Sequence, residues 1–455
     1  MPSHETIVAL STPPGRSGIG VIRLSGQRAL TLTRLLLSDE VFNPEPHRVS
    51  LKTIRELESG EILDRALVTY FKAPHSFTGD DVVELSCHGS PTLLLQVVDA
   101  LLSLGARAAD PGEFTLRALS NGRLSLSQAE AVRDLIDAQT QAAVKQAARQ
   151  LGGELSARLQ PVKDALLELI VPLESSLEFV EDDLPENVTR QVGRLLSDLI
   201  RQLEELASTF RTGRLLKDGL KITFAGRPNV GKSSIFNKLL ASDRAIVTEL
   251  PGTTRDSLSE LTSIEGVPVL LTDTAGVRES TDKIEQLGIE RTRRAIVDAD
   301  LVVVVLDGSE KPTPEDEDVL REVSENLHLL ALNKSDLDAF SPNNAPLSSN
   351  AVRTVAVSAK TGDGIKELRA AIMEPFTESG AQDSGFLITN ARHYDLLRRS
   401  VDSLRSSESL LGARASEELV LVGLYDALRY LGEITGETTP DDVLSQIFAT
   451  FCIGK

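Results

Sequence analysis

A glycine-rich segment in the middle of the chain has the residue types and spacing that bind phosphate groups. Gly226-Arg-Pro-Asn-Val-Gly-Lys-Ser233 follows a predicted strand at 221–225 and opens a predicted helix at 233–240. Where such a loop joins a strand to a helix, its backbone N–H groups surround phosphate oxygens. Lys232 is expected to bind the β- and γ-phosphates and Ser233 to bind Mg²⁺. The predicted nucleotide contacts in this segment are Asn229, Val230, Gly231, Lys232, Ser233 and Ser234.

Two later segments carry candidate ligands for Mg²⁺ and the γ-phosphate. One is Gly252-Thr-Thr-Arg-Asp256, although an ordinary Ser/Thr turn would explain this pentapeptide equally well. The other is Asp273-Thr-Ala-Gly276, which ends an apolar strand and offers a carboxylate and a backbone N–H. We predict that Thr254 completes the Mg²⁺ shell and acts in catalysis with Lys232. The other predicted nucleotide contacts here are Thr248, Thr253, Asp273, Thr274, Ala275 and Gly276.

The base is predicted to be guanine. Asn333-Lys-Ser-Asp336 ends another strand, and the Asp336 carboxylate can accept hydrogen bonds from the ring N–H and the exocyclic amine of guanine. Adenine does not offer this pair of donors, so the buried charge would be left without a partner. Ser358-Ala-Lys360 ends the last strand of this region. The predicted contacts to GTP in these segments are Asn333, Lys334, Asp336, Ser358, Ala359 and Lys360.

One position departs from the small signalling GTPases. Val277 follows Asp-Thr-Ala-Gly, where those proteins use a glutamine to orient the attacking water. Valine has no hydrogen-bonding side chain, so hydrolysis must be very slow or must use another route. A monovalent cation held by Asn229 and by carbonyl oxygens of the segment 248–253 would supply positive charge. The alternative is that Asn229 only braces the loop.

Composition and charge limit the remaining possibilities. The formal net charge of −19 disfavours tight nonspecific binding of nucleic acid by the whole surface, but not a local basic patch or a basic partner. With only Cys87 and Cys452, no disulfide framework is expected. The sequence has no signal-peptide pattern, and its longest aliphatic run, 301–306, is too short to span a membrane. We therefore expect a cytoplasmic protein without a membrane span.

Three compositional zones organise the chain. Residues 1–119 mix short β-rich runs with Gly/Pro turns and predict an α+β domain. Residues 120–214 and 377–455 have helical patterns and predict one discontinuous helical domain. Between them, residues 215–376 alternate strands with helices, which is typical of a doubly wound α/β sheet. The predicted fold class is therefore a multidomain α/β and α+β protein with an inserted P-loop domain.

Local patterns make this outline more specific. We expect Ser127 and Glu130 to form a capping box, and Thr439-Pro-Asp-Asp442 to begin the last helix. The acidic segment 310–318 and the polar segment 338–350 are interpreted as solvated insertions. One apolar helical stripe is predicted to consist of Leu195, Leu196, Leu199, Ile200, Leu203 and Leu206.

Four segments outside the nucleotide motifs narrow the family. They are Thr12-Pro-Pro-Gly-Arg-Ser-Gly-Ile-Gly-Val-Ile-Arg23, Ser76-Phe-Thr-Gly-Asp-Asp-Val-Val-Glu84, Pro111-Gly-Glu-Phe-Thr-Leu-Arg-Ala118 and the C-terminal Cys452-Ile-Gly-Lys455. The nucleotide motifs alone would fit several ribosome-associated GTPases. With these segments, essentially the whole chain resembles the MnmE (TrmE) family of bacterial tRNA modification GTPases.

The resemblance implies an N-terminal domain that dimerises and binds folate, a helical domain and an inserted Ras-like G domain. It implies a homodimer that works with the FAD-containing partner MnmG, as a heterotetramer, on tRNA. The implied reaction adds an aminomethyl or carboxymethylaminomethyl group to carbon 5 of the wobble uridine. The implied carbon source is a tetrahydrofolate derivative, 5-formyl- or methylene-tetrahydrofolate. The resemblance also implies that K⁺ binds beside the P-loop and that the G domains dimerise before hydrolysis.

The resemblance assigns residues as well. Glu285 would orient the attacking water through a bridging water, which meets the need created by Val277. Cys452 has two readings, a nucleophile toward the pyrimidine or a structural residue near the folate. The implied K⁺ ligands are Asn229, Thr248, Leu250 and Thr253. The implied folate contacts are Arg23, Glu84, Arg123 and Lys455, with arginine at position 123 where the family pattern has lysine, so charge is kept but geometry changes.

Three functions stay open on the sequence alone. The first is a K⁺-stimulated GTPase whose conformational cycle drives wobble-uridine modification with a flavoprotein. The second is a GTP-switched ribosome-assembly factor, for which a basic RNA-binding module would be expected. The third is a folate-dependent transferase in the N-terminal domain that the G domain only regulates.

Overall fold

The computed structural model describes residues 5–178, 186–242, 259–273, 293–346, 351–376, 385–437, 444 and 447–454. The chain divides into two units. The first comprises Met1–Arg133, Gln150–Leu166 and Leu428–Lys455, and the second Asp134–Arg149 and Leu167–Ala427. Within the described ranges, no helix combines the length and the apolar character that a membrane crossing requires.

A sheet of mainly antiparallel strands forms the first unit. Its order is β3-β4-β5-β2-β1-β6, and the pair β1–β6 is parallel. The short β-rich runs predicted an α+β fold here, and this prediction is confirmed. The strands are β1 (Ile7–Leu10), β2 (Ser17–Ser25), β3 (Val49–Arg55), β4 (Ile62–Phe71), β5 (Val82–Gly89) and β6 (Arg107–Ala108).

Helices cover both faces of this sheet. Helices α1 (Ala29–Leu37) and α2 (Pro91–Ser103) pack over alternate apolar residues of the central strands. Such alternation follows from the two-residue period of a strand, which sends successive side chains to opposite faces. On the other face, Ile7 and Ala9 of β1 contact Phe114 of α3 (Glu113–Ser120).

Helix α4 (Leu126–Asp137) begins with a capping box two residues earlier than predicted. The N–H of Ser125 donates to Gln128 Oε1 (2.9 Å), and the N–H of Gln128 donates to Ser125 Oγ (3.3 Å). The predicted box at Ser127 is wrong because that side chain is buried, with its hydroxyl 3.1 Å from Ser125 Oγ. Leu126 starts the apolar face and packs with Phe448 and Phe451. The predicted helix start at 439–442 lies outside the described residues.

The other helices outside the nucleotide-binding sheet range from 9 to 25 residues. The predicted apolar stripe of α7 is confirmed for most of its members, since Leu196, Leu199, Ile200 and Leu203 are buried. Leu195, however, is 41% exposed, because α7 packs against α12 through the other side of the stripe. The helices are α5 (Gln141–Leu151), α6 (Glu154–Glu178), α7 (Glu186–Ser208), α8 (Phe210–Asp218), α12 (Ala391–Gly412) and α13 (Glu417–Thr435).

The second unit contains the predicted doubly wound sheet, ordered β12-β11-β10-β7-β9-β8. Its neighbouring strands are parallel except for the antiparallel pair β8–β9. Strand β10 is buried on both faces, as a central parallel strand must be. The strands are β7 (Leu220–Ala225), β8 (Ser259–Ile264), β9 (Val267–Asp273), β10 (Leu301–Asp307), β11 (His328–Asn333) and β12 (Ala351–Ala356), and the helices are α9 (Lys232–Ser242), α10 (Pro314–Glu322) and α11 (Ile365–Met373).

The acidic segment 310–318 is mostly exposed, as predicted, but it contains the start of α10 and one buried aspartate. Thr313 caps α10 in a capping box with Asp316, whose side chain is 2% exposed. Pro314 occupies the first turn, where its missing N–H costs nothing. The interpretation from composition was wrong for Asp316, because a charged residue that closes a helix start can be buried by its hydrogen bonds.

The two connections that enter and leave the nucleotide-binding sheet contact each other. The hydroxyl oxygen of Thr209 accepts a hydrogen bond from the N–H of Ile388 (3.0 Å). The ring of Phe210 stacks on Tyr394, with centroids 4.4 Å apart. A β-carbon on Gly213 would lie 2.1 Å from the carbonyl oxygen of Ile388, so glycine is required for this close approach.

Replacing Gly213 with alanine should destabilise the chain by about 1–3 kcal/mol, because the added methyl group forces the two connections apart. The matched control is Gly193→Ala in α7, where a β-carbon would lie 3.8 Å from the nearest atom, Leu411 Cδ2. That variant should be as stable as the native chain or slightly more stable. Urea unfolding followed by circular dichroism measures both, and equal midpoints for the two variants would refute the close-approach argument.

Candidate functional site

The glycine-rich loop joins β7 to α9, as its sequence predicted. Asn229 has φ = 64°, a left-handed conformation that asparagine tolerates better than most residues. Gly231 has φ = 98°, and a β-carbon there would lie 2.1 Å from Asn333 Nδ2. The loop therefore requires glycine both for its backbone angle and for the side chain packed against it.

Lys232 and Ser233 are placed at the start of α9. The Lys232 side chain is buried, and its Nζ donates to the carbonyl oxygens of Gly226 (2.7 Å) and Arg227 (2.8 Å). The Ser233 hydroxyl donates to Asp273 Oδ2 (2.6 Å) at the end of β9. A hydroxyl and a carboxylate side by side are the oxygen donors that Mg²⁺ prefers, so these residues fit the predicted metal.

Asn333 connects two loops of the site. Its Nδ2 donates to the carbonyl oxygen of Val230 in the glycine-rich loop (2.7 Å). Its Oδ1 accepts from the N–H of Ala359 (3.0 Å), in the segment that follows β12. The side chain is 3% exposed and uses both ends of its amide. One residue thus fixes the distance between the phosphate-binding and the base-binding segments.

Asp336 is prepared to act as a hydrogen-bond acceptor. Its Oδ1 accepts from the Ser358 hydroxyl (2.7 Å), and its Oδ2 lies 4.0 Å from Lys360 Nζ. The hydrogen bond from Ser358 and the charge of Lys360 lower the pKa of Asp336 below its ordinary value. The carboxylate is therefore ionised at neutral pH and can accept from the two donors of guanine.

Sequence reasoning missed the partner of Lys334. Its Nζ lies 2.5 Å from Oδ2 of Asp307, at the end of β10. Burial alone would raise the pKa of Asp307, but hydrogen bonds from Lys334 and Ser309 lower it, so the carboxylate stays charged. Lys334 has a positive φ of 65°, and this ion pair fixes its side chain. The signal was available, since Asp307 ends a fully apolar strand.

Several predicted residues lie outside the described part of the chain. Of the predicted K⁺ ligands, only Asn229 is described. The predictions for these positions remain predictions. The residues are Thr248, Leu250, Thr253, Thr254, Thr274, Ala275, Gly276, Val277, Glu285 and Lys455.

In the first unit, the structure brings two of the predicted folate residues together. Arg23 and Glu84 face each other across strands β2 and β5, and Arg23 donates through Nη2 to Glu84 Oε1 (2.7 Å). The Arg23 guanidinium lies over the rings of Phe77 (5.6 Å) and Phe114 (5.7 Å). Sequence reasoning missed both rings. Charged groups beside aromatic faces suit a flat heterocycle that carries an acidic tail.

Arg123 and the C-terminal residues 452–454 both belong to the first unit. Asn121, two residues before Arg123, donates through Nδ2 to the carbonyl oxygen of Thr78 (2.7 Å), next to Phe77. Ser11 donates through its hydroxyl to the carbonyl oxygen of Gly454 (3.1 Å), and Cys452 is exposed. The C-terminal segment is therefore part of the unit that contains Arg23, and its backbone is bonded to the residue that follows β1.

The neighbouring residues Cys87 and His88 do not form a catalytic pair. Cys87 is buried in the core, and burial raises the pKa of its thiol to about 12. His88 instead lies with Nδ1 2.6 Å from Asp64 Oδ1. A thiol that stays protonated at neutral pH is a poor nucleophile.

Comparison with known proteins decides the family. The model for the GTP-binding protein TrmE N-terminus matches residues 6–123, and the model for the MnmE helical domain matches residues 126–452. The tRNA modification GTPase MnmE of Koribacter versatilis is 48% identical over 99% of both chains. Those of Aquifex aeolicus and Heliobacterium modesticaldum are 42% and 41% identical, again over at least 99% of each chain. The chain belongs to the MnmE family of GTPases.

Among solved structures, Era of Aquifex aeolicus bound to GDP·AlF4⁻ is 21% identical over 40% of this chain and 66% of that chain, with a TM-score of 0.29. A similarity of this size carries no argument on function. The family assignment rests on the sequence matches along the whole chain.

Replacing Asp336 with asparagine should weaken GTP binding by at least about tenfold and shift preference toward xanthosine triphosphate, because the amide donates where the carboxylate accepts. Competition binding of the two nucleotides to the purified protein measures the change. Asp338→Asn, on an exposed residue two positions later, is the matched control and should keep GTP preference. An Asp336→Asn protein that still prefers GTP would contradict base recognition by this carboxylate.

Proposed function

We propose that this protein is a K⁺-stimulated GTPase that, with the FAD-containing partner MnmG, modifies carbon 5 of the tRNA wobble uridine. The group added is aminomethyl or carboxymethylaminomethyl, and its one-carbon unit comes from a tetrahydrofolate derivative. In this proposal, GTP hydrolysis drives a conformational cycle rather than the carbon transfer itself.

One observation carries the proposal. Relatives named tRNA modification GTPase MnmE match essentially the whole chain at 41–48% identity. The match therefore includes both the nucleotide-binding part and the N-terminal part of this chain. The Asn333 and Asp336 geometry supports GTP as the nucleotide. A ribosome-assembly role is less well supported, because the N-terminal residues match the TrmE model instead of a basic RNA-binding module.

The proposed hydrolysis uses three parts of the site. Lys232 would bind the β- and γ-phosphates, and Ser233 and Thr254 would hold Mg²⁺, whose charge would offset that of the phosphates. Glu285 would orient the attacking water. Asn229, Thr248, Leu250 and Thr253 would hold K⁺, which would supply the positive charge that an arginine provides in other GTPases.

The proposed folate site lies in the first unit. Glu84 suits the donor edge of a pterin, and Arg23, which contacts Glu84, belongs to the same end of the site, whereas Arg123 and Lys455 suit the acidic tail. Arg23 and Glu84 already form an ion pair, so folate would have to exchange part of it for its own contacts. Cys452 remains either a nucleophile or a structural residue beside the folate.

The remaining features of the proposal concern organisation. We infer a homodimer through the N-terminal domain and a heterotetramer with MnmG. The proposed domain boundaries are 1–119 for the N-terminal domain, 120–214 with 377–455 for the helical domain, and 215–376 for the G domain. A cytoplasmic location follows from the tRNA substrate.

A reconstituted reaction tests the proposal directly. The purified chain, MnmG, unmodified tRNA, methylene-tetrahydrofolate, an amine donor, GTP, Mg²⁺ and K⁺ should together yield modified wobble uridine, detected by nucleoside mass spectrometry. Replacing K⁺ with Na⁺, or GTP with GDP, should remove most of the product. Arg23→Ala should weaken folate binding and leave GTP turnover unchanged. Product formed equally well without GTP or without folate would overturn the proposal.

A further inference from the structure

The second residue of the glycine-rich loop, Arg227, has acidic partners outside the recognised nucleotide motifs. Its Nη2 donates a hydrogen bond to Glu310, and its Nε lies 3.3 Å from Asp316 Oδ1. Both acids belong to the 308–316 segment, which runs from the end of β10 into α10. The Arg227 side chain is only 19% exposed, so it is directed into the protein rather than into solvent.

Asp316 is held rigidly in front of Arg227. Its Oδ2 accepts from both the N–H and the hydroxyl of Thr313, each at 2.9 Å. The side chain is 2% exposed, so its charge requires a partner inside the protein. Oδ1 has no hydrogen bond within the described residues, and Arg227 is the cation that faces it. Arg227 therefore neutralises a buried carboxylate that a helix cap has fixed in place.

The same arginine is held from the other side through its backbone. Its carbonyl oxygen accepts from Lys232 Nζ, and so does that of Gly226. The start of the loop is thus held in two ways: the Arg227 side chain pairs with the two acids, and the carbonyl oxygens of Gly226 and Arg227 accept from the phosphate-binding lysine. A shift of Arg227 would move the carbonyl oxygens that orient Lys232.

We propose that Arg227 is a positioning residue for GTP, and that Asp316 and Glu310 make the 308–316 segment part of the nucleotide site. The ion pair sets the geometry of the glycine-rich loop and hence the affinity for GTP. It does not act on the γ-phosphate, because the guanidinium is occupied by the two carboxylates. The inference rests on the GTP site alone and is independent of the tRNA chemistry.

Steady-state GTP hydrolysis by the full chain separates positioning from catalysis. Arg227→Gln should raise KM for GTP roughly tenfold or more, because it leaves the buried Asp316 carboxylate without its cation. Asp316→Asn should raise KM by a smaller factor, because Arg227 keeps its ion pair with Glu310. The kcat at saturating GTP should stay within about twofold, as expected when binding is lost equally in ground and transition states. Arg227→Lys should give a KM between those of the native protein and Arg227→Gln, because lysine restores the positive charge but not the planar guanidinium with its several donors.

Two control variants separate this effect from a loss of stability. Thr313→Ala removes one of the two hydrogen bonds to Asp316 Oδ2 but keeps the backbone one, so it should lower the melting temperature and raise KM much less than Arg227→Gln does. Asp318→Asn breaks the exposed pair with Arg321 on the same helix and should change neither quantity.

A double variant completes the test. The double variant Arg227→Gln with Asp316→Asn should raise KM for GTP by less than the product of the two single fold-changes, because the two groups act as a pair. The proposal fails if the single variants leave KM unchanged, if they lower kcat instead, or if Thr313→Ala raises KM as much as Arg227→Gln does.

Discussion

The nucleotide site depends on the amide of Asn333. This side chain ends a buried parallel strand, donates to Val230 and accepts from Ala359, so it ties the phosphate-binding loop to the base-binding segment. Gly231 must be glycine because the amide nitrogen occupies the space that a β-carbon would need. A buried amide that lost either partner would leave an unsatisfied group, at a cost of about 1–3 kcal/mol. The spacing between the phosphates and guanine is therefore built into one residue.

The sequence predicted the elements that depend on local pattern. The alternation of strands with helical segments predicted the parallel sheet, and the motifs predicted the places of Lys232 and Ser233 at the start of α9 and of Asp336 just after β11. These features are accessible because parallel strands present their carboxyl ends at one edge, where loops from distant parts of the sequence must meet. A site residue in the loop that follows a parallel strand can thus be recognised from the sequence, even when its contacts in the folded protein are unknown.

Features that depend on tertiary partners could not be predicted in the same way. The segment 310–318 was interpreted as solvated, yet Asp316 is buried against Arg227, which is distant in sequence. The capping box was misplaced because Ser125 and Ser127 each begin a possible capping-box pattern. In the structure Ser127 is buried, and Ser125 forms the box. The rings of Phe77 and Phe114 beside Arg23 also follow from packing and not from spacing. Composition shows how polar a segment is, but it does not show which charged residues from distant parts of the chain form ion pairs with it.

The proposed function requires an intact GTP site for tRNA modification. The most direct test is mass spectrometry of wobble nucleosides in tRNA from cells whose only copy of the protein carries Asn333→Ala, at matched protein levels. We expect undermodified wobble uridine, as in cells that lack the protein, and normal modification with the control Asn343→Ala, an exposed residue of a surface turn. Normal wobble uridine in the Asn333→Ala cells would contradict it.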